Sequence, residues 1–367
     1  MPWNWELPDW PQFSYDPDRI SQKERQFLLG MGSACAFLKN IGEQEYSQFV
    51  VEILSVEGLE SSRIEGEILD RESLQSSIKQ HFGLKTSRKQ EVNKESRMAA
   101  LLCDVYESFD QPLTHEMLWQ WHYSLFNNQS HIVDCGKYRT HIEPMQIISR
   151  RYGSPRVFFE APPSAKVPDE MAAFVTWFNS TSAAEPVLVR AAIAHVYFES
   201  IHPFEDGNGR IGRLLVEKIL SQGIKRPILI AVSKVLEKRK KEYYAALERC
   251  NRTLEVDHWV EFFAETILQA QEESMALLHF LIEKSKMLTA LSGQLNPRQE
   301  KVLLRMFAEG LSGFKGGLSA EKYIAITKTS RATATRDLSD LVHKGALVKT
   351  GELRHTRYWL PPNTIKR

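Results

Sequence analysis

His202-Pro203-Phe204-Glu205-Asp206-Gly207-Asn208-Gly209-Arg210-Ile211-Gly212-Arg213 crowds a histidine, a carboxylate, glycines and two arginines into one short stretch. Gly207 and Gly209 let the backbone take up conformations closed to other residues and approach a ligand closely. If a helix begins here, its first N–H groups point at an anion and its dipole favours negative charge. Arg210 and Arg213 are three apart, so both reach the same side of the first turns. Gly-Asn-Gly alone marks only a turn. The whole pattern is the composition of a site that holds a polyphosphate with a base close by.

The flanks agree. Val187, Leu188, Ala191, Ala192, Ala194, Val196 and Phe198 recur near helical spacing, which predicts a helix over Pro186 to Ser200 that Pro203 ends. Leu214, Leu215, Ile219 and Leu220 continue an apolar face beyond the loop, and Gly223 is the expected stop. Phe204 is expected to point inward and fix the loop.

The stretch resembles the signature of the Fic family, His-x-Phe-x-Asp/Glu-Gly-Asn-Gly-Arg-x-x-Arg, and matches every specified position. The resemblance implies a mainly α fold, a helical core with a β-hairpin flap. It also implies a reaction, transfer of AMP from ATP to a Thr, Ser or Tyr hydroxyl of a target protein. His202 is then the general base. Asp206 holds Mg²⁺, Gly207, Asn208 and Gly209 orient the phosphates, Arg210 supports the loop and Arg213 grips the γ-phosphate. Two alternatives stay open. One is another transfer on the same site: removal of AMP with Glu65 directing water, or use of a different nucleotide or phosphodiester donor. The other is a DNA-binding regulator with a vestigial core.

A second segment, Ser61-Ser62-Arg63-Ile64-Glu65-Gly66, resembles the Ser/Thr-x-x-x-Glu-Gly/Asn element of self-inhibiting Fic proteins. A carboxylate beside Arg213 would form a charge-assisted pair and take up the arginine meant for the γ-phosphate. Because Ser61, Glu65 and Gly66 precede the catalytic motif, the arrangement is similar to the SoFic type, with an N-terminal inhibitory helix at about 57–68. Family members also border the nucleotide with a Tyr-Tyr pair and an Asn seven residues beyond. Tyr243, Tyr244 and Asn251 match this spacing, on a helix expected to carry Leu236, Ala246, Leu247 and Arg249.

Between Ile132 and Pro168 the texture changes. Glycines and prolines interrupt the short β-prone pieces Met145 to Ile148 and Arg156 to Phe159, which predict a hairpin. In the family this flap covers the site and holds the target segment in extended form, so Gln146, Ile147 and Ile148 would line its edge. Elsewhere Ser21 is the expected cap of helix over 21–58, Lys85–Glu91 reads as a solvated linker, and helix resumes over Val92–Phe109 and Thr114–Phe126. Trp3, Trp5, Trp10, Phe13 and Tyr15 are expected to wrap the body. His115-Glu116 has Trp119 where a zinc helix needs its second histidine, so His115, Glu116 and His122 read as ordinary helix residues.

Residues 287–367 carry fourteen Lys/Arg and six Asp/Glu, a surplus of +8 in a chain of net charge +1. Ser319 is expected to cap a helix through Ile326, and Ser330 a second over Arg331–Lys344, with Ala334, Leu338, Leu341 and Val342 facing the core and Gly345 stopping it. Ala346–Lys349 and Arg354–Leu360 then make a basic hairpin. This resembles a winged-helix domain, in which Arg331, Thr333 and Arg336 are candidate DNA contacts. The expected domains are therefore 1–88, 89–285 and 287–367. At 367 residues and 43% hydrophobic content there is ample core. No long apolar run suggests a membrane span, and the start has no signal-peptide pattern. Cys35, Cys103, Cys135 and Cys250 are widely spaced and fit reduced thiols, hence a cytoplasmic location. A homodimer is a further expectation from the family.

Overall fold

The computed structural model describes residues 1–86, 92–127, 129–148, 156–181 and 185–361. It divides into two units, residues 1–36 with 50–271, and residues 37–49 with 272–367. In chain order the first unit draws on α1 (Asp18–Leu38), α2 (Glu43–Ile64), α3 (Arg71–His81), α4 (Lys94–Glu107) and α5 (His115–Phe126). Strands β1 (Gln146–Ile148) and β2 (Val157–Glu160) follow, then α6 (Val167–Ser180), α7 (Val187–Ile201), α8 (Asn208–Ile224), α9 (Val232–Lys238), α10 (Lys240–Cys250) and the start of α11 (Asp257–Ala290). The architecture is mainly α. No described helix is long and apolar enough to cross a membrane.

α7 is buried on every side, with only Val187 and Glu199 partly accessible, which explains why its apolar residues form no single stripe. It packs most extensively against α8. Gly223 does not end α8, which runs to Ile224 and stops at a left-handed Lys225. A Cβ on Gly223 would lie 2.4 Å from Val187 Cγ2, so the missing side chain serves close approach of α7 rather than termination.

The aromatic N-terminus lies along α7 and the hairpin. Trp10 meets the Tyr197 ring edge-on at 5.1 Å, Trp5 Nε1 donates to the Glu160 carbonyl (2.7 Å), and buried Asn4 donates to Ser200 Oγ (2.8 Å). Ser21 is not the cap of the first helix. α1 starts at Asp18, whose N–H donates to Asp16 Oδ1 (3.0 Å), and Ser21 Oγ instead donates back to the Asp18 carbonyl. Helix is also interrupted at residues 39–42, so the expected 21–58 segment is two helices. Thr114 caps α5 through Met117 N–H (3.2 Å). β1 and β2 pair antiparallel, Gln146 opposite Glu160 and Ile147 opposite Phe159, with an irregularity before Ile148. The link between them, 149–155, and most of the expected linker, 87–91, lie outside the described residues.

In the second unit, α12 (Pro297–Ala308), α13 (Ala320–Thr327) and α14 (Arg331–His343) surround a core of Val302, Leu303, Phe307, Tyr323, Leu338 and Leu341. Ser319 and Ser330 cap α13 and α14 as their sequence positions predict. Buried Asp337 accepts from Arg298 Nε (2.8 Å), Tyr323 Oη (2.9 Å) and Asn296 Nδ2 (3.2 Å), tying α12, α13 and α14 together. β3 (Val348–Thr350) and β4 (Arg357–Trp359) pair antiparallel, and Leu318 bridges to Tyr358. These strands are shorter than the expected pieces. Ala346 and Leu347 turn into the core, while Leu353–His355 form a tight 3-10 turn. Val342 is only partly buried at the edge of this core.

Candidate functional site

The site is built where α7 ends and α8 begins. α7 closes with His202 in the left-handed region (φ 50°, ψ 60°), its N–H donating to the Phe198 carbonyl (2.9 Å). Such a backbone is uncommon outside glycine and persists only when the surroundings impose it. Pro203 then bars further helix. Phe204 is fully buried and stacks on the His122 ring at 4.3 Å, so it does fix the loop from inside. Asn208 spans the loop: Phe204 N–H donates to its Oδ1 (3.0 Å) and its Nδ2 donates to the Phe204 carbonyl (2.8 Å). Its side chain is thus engaged in holding the loop, and its backbone N–H lies at the start of α8.

Gly207 precedes α8 at φ 83°, and a Cβ there would sit 2.5 Å from Phe126 Cε2, so both conformation and space require glycine. Gly209 opens the first turn of α8. A Cβ on it would lie 2.2 Å from Glu65 Oε1 and 3.1 Å from Arg213 Nη1. The bare backbone therefore leaves a recess at the helix N-terminus, and a carboxylate stands in it.

That carboxylate arrives from α2. The helix ends at Ile64, and Glu65 and Gly66 lie in the following turn, Gly66 at φ 84°. The segment expected at about 57–68 is therefore the last turns of α2 plus this turn. Arg213 is buried and donates Nε to Ser61 Oγ (2.9 Å), and Nη2 both to the Ser61 carbonyl (2.9 Å) and to Glu65 Oε1 (2.8 Å). Burial opposes its charge, but Glu65 together with Tyr243 and Glu199 outweighs that and holds its pKa above the usual arginine range. Next to it, Arg210 Nη1 donates to Glu67 Oε2 (2.9 Å), and its guanidinium lies over the Phe126 ring. Both arginines of the motif are thus paired with carboxylates from one turn.

His202 is largely enclosed, with a side-chain exposure of 13%. Burial lowers its pKa to about 4, against a raising influence from the Glu199 carbonyl, so the ring is neutral at pH 7. Nδ1 lies 3.3 Å from that carbonyl oxygen, which can only accept. Nδ1 therefore carries the proton, and Nε2 holds the free lone pair that a base needs. The Glu199 carboxyl stands 3.7 Å from Nδ1. Burial, then the charge of Glu65, push its pKa up to about 8.

Asp206 is half-exposed beside this loop, 3.8 Å from Arg210 Nη2. Among the described residues no group of three His, Cys, Asp or Glu side chains could hold a metal. The tyrosine pair splits its tasks. Tyr243 is buried with its hydroxyl 2.7 Å from His195 Nε2, and Tyr244 donates to the Ile64 carbonyl (3.3 Å) at the end of α2. Asn251 caps α10 and donates to the Phe158 carbonyl of β2 (3.0 Å). Leu236 belongs to α9, not to the helix of the tyrosines, because the chain breaks at Arg239. On the hairpin, Gln146 bonds Glu160 (2.7 Å), and Ile147 and Ile148 are exposed. His115 of the discarded zinc pattern contacts the Tyr138 hydroxyl (2.8 Å).

Sequence reasoning missed Arg139, Glu199 and Glu67. Arg139 is buried and makes its side-chain bonds to the main-chain carbonyls of Pro162, Ile201 and His202, a kind of contact that no residue pattern announces. A buried acid pair was missed as well. Glu57 accepts from Ser233 N–H (2.8 Å) and Ser233 Oγ and faces Glu217, and burial raises the pKa of both acids. Glu57 stands four residues before Ser61 and Glu217 four after Arg213. One-turn spacing from the two motifs was the available signal.

Comparison with known proteins matches residues 112–220 to the Fic/DOC family and residues 3–84 to a domain of unknown function, DUF4172. The chain is 40% identical over 85 residues to a protein adenylyltransferase fic-1 of Caenorhabditis briggsae, covering 23% of this chain and 16% of that protein. It is 42% identical over 62 residues to a probable protein adenylyltransferase of Aquifex aeolicus, covering 17% and 19%. The matched stretch thus spans less than a fifth of these curated relatives. In fold, it is similar to a Fic family protein from Desulfovibrio desulfuricans G20 (TM-score 0.57, 22% identity, 96% of this chain and 98% of that one). A Fic domain containing signaling protein from Bacteroides thetaiotaomicron is also similar (TM-score 0.52, 19% identity, 71% and 95%).

Proposed function

We propose, from a chain that belongs to the Fic/DOC family through its domain at residues 112–220, that this protein transfers AMP from ATP to a hydroxyl of a target protein and is held back by Glu65. The observation that carries the reading is the recess at Gly209: a neutral histidine stands by a helix N-terminus, and a carboxylate fills the place suited to an anion. The N–H groups at the start of α8 have no partner within the helix and favour a phosphate there. With Glu65 withdrawn, Arg213 is free to grip the γ-phosphate and Arg210 to support the loop. His202 Nε2 takes the proton of the incoming Ser, Thr or Tyr hydroxyl, the oxygen attacks the α-phosphorus, and pyrophosphate leaves. The exposed edge at Gln146, Ile147 and Ile148 suits a target segment added as a strand. Tyr244 and Asn251 would border the nucleotide, Tyr244 after releasing the Ile64 carbonyl.

Asp206 fits Mg²⁺ that arrives with the nucleotide, since that ion commonly takes one or two carboxylates plus phosphate oxygens and water. When bound, it would offset charge on the phosphates. The test is incubation of Glu65→Gly protein with labelled ATP. Incorporation above that of the unsubstituted protein is expected, and equal incorporation removes the brake. A second reading on the same site, removal of AMP with Glu65 directing water, draws on the Glu65 carboxylate standing in the recess at Gly209, bonded to Arg213 through Oε1. Release of AMP from modified protein that needs Glu65 would favour it.

We further propose a winged helix for 287–367 that binds DNA through α14, supported by its positive surplus and by exposed Arg331 and Arg336. Thr333 is partly engaged, its hydroxyl 3.0 Å from Ser330 Oγ. Affinity for duplex DNA should fall steeply with salt if phosphates are contacted, and no binding at low salt excludes the reading. The family resemblance implies a homodimer, which light scattering reads directly.

A further inference from the structure

Arg139 has a fully enclosed guanidinium, and its polar partners are main-chain carbonyls. Nε donates to the His202 carbonyl (2.8 Å), and Nη2 donates to the Pro162 carbonyl (2.5 Å) and the Ile201 carbonyl (3.4 Å). Its own N–H donates to the Pro203 carbonyl (2.9 Å). Burying a cation is costly unless its geometry is needed. Here the need is visible. Ile201 is the last residue of α7 and His202 its cap, where carbonyls lack helical partners and a positive charge is favoured. Pro162 follows directly on the hairpin, whose base is closed by Ala161 N–H donating to the Met145 carbonyl (2.9 Å).

We propose that Arg139 is a positioning residue for the transfer: its planar fork ties the backbone of His202 to the base of the β1–β2 hairpin, fixing the imidazole relative to the edge that presents the acceptor hydroxyl. This rests on the adenylyl-transfer reading. The fork holds the left-handed turn at His202, and with it the direction of Nε2. A lysine cannot do the same, because an ammonium is a point charge without a planar pair of donors. The cation has a second effect. His202 is faced by Glu199 from α7, Arg139 from the segment before the hairpin, Glu65 from the end of α2 and Asp206 from the loop. Of these charged groups, Arg139 is the one that disfavours the imidazolium, and so helps burial to keep the base free.

The test uses the full chain in a Glu65→Gly background, with Arg139→Gln and Arg139→Lys. Arg139→Gln should leave ATP affinity unchanged and lower kcat about a hundredfold, the scale of a one-ångström misplacement. It should also move the NMR titration of His202 upward, toward the ordinary histidine value. Arg139→Lys keeps the charge, so kcat falls while the titration stays low. Folded Arg139→Gln protein with unchanged kcat and unchanged titration overturns the proposal. Should both variants fail to fold, the ring of the Glu65→Gly parent decides. The Nδ1–H tautomer, neutral through pH 6, is expected, and the Nε2–H tautomer overturns it. The titration needs no turnover. A parent that transfers no AMP while these shifts appear as expected refutes the activity reading and leaves the positioning of His202 standing.

Discussion

Replacing Glu65 with Ala separates a carboxylate that blocks from one that merely decorates. The Arg213 Nη2 to Glu65 Oε1 bond (2.8 Å) is charge-assisted, and such bonds contribute about 1.5–3 kcal/mol. Glu65 is 29% exposed, so a value near the middle, about 2 kcal/mol, is the reasonable expectation. Arg213 keeps both bonds to Ser61, which limits the loss. In denaturant unfolding without nucleotide, Glu65→Ala should therefore be less stable by about 2 kcal/mol. On the proposed reading the γ-phosphate must displace Glu65, so the same free energy opposes it in the unsubstituted protein. ATP should then bind the variant about thirtyfold more tightly, the factor to which 2 kcal/mol corresponds. ADP has no γ-phosphate and should bind both proteins alike. Calorimetric titration with each nucleotide reads this out. If ATP and ADP respond equally to the substitution, Glu65 does not compete for the γ-phosphate subsite and the reasoning fails.

The remaining expectations address the loop and its acids. Gly207→Ala forces a side chain at φ 83° against Phe126 and should cost about 2–4 kcal/mol in unfolding, from overpacking and strain together; a loss below measurement would mean the loop relaxes freely. Asn208→Ala removes both bonds to the Phe204 backbone and should cost about 2 kcal/mol. It should also lower kcat far more than it weakens ATP binding, and the reverse pattern would make Asn208 a phosphate ligand through its side chain. Glu199 has a folded pKa raised to about 8 and Glu57 and Glu217 are raised as well, so the folded state binds more protons and stability falls as pH rises through that window. His202, His122 and His195 are lowered by burial and act oppositely, but only below the ordinary histidine value of about 6.5. Between pH 6.5 and 8 the acids set the decline, opposed only toward pH 8 by Lys218, whose pKa burial lowers to about 8; Glu199→Gln should flatten the decline, and an unchanged slope would remove Glu199 from that group.

Much of the site is legible in the chain because its parts are local. The stretch from His202 to Arg213 is a short loop and the first turns of α8, so spacing alone places Gly207, Gly209 and the arginines. α7 is readable for a different reason: full burial makes it apolar nearly throughout. The Glu65–Arg213 pair spans 148 residues, and only the likeness to self-inhibiting relatives anticipates it. Misreadings arose where one residue type has two physical uses. Gly223 serves close packing instead of stopping a helix, and Ser21 donates back to the helix while Asp16 does the capping. The Asn208 amide was also not read from the chain as a brace: it matches the Phe204 backbone in both donor and acceptor, a fit visible only after the loop closes. Arg139 escaped because main-chain carbonyls have no letter in a sequence.

The central claim is that the His202 imidazole activates a hydroxyl beside the anion recess of α8. AMP incorporation from α-labelled ATP, measured by mass on Glu65→Gly protein with and without His202→Ala, tests it most directly. Covalent AMP on the first protein is expected, with none on the second despite retained ATP binding. Equal labelling of both, or labelling by a group other than AMP, would contradict it.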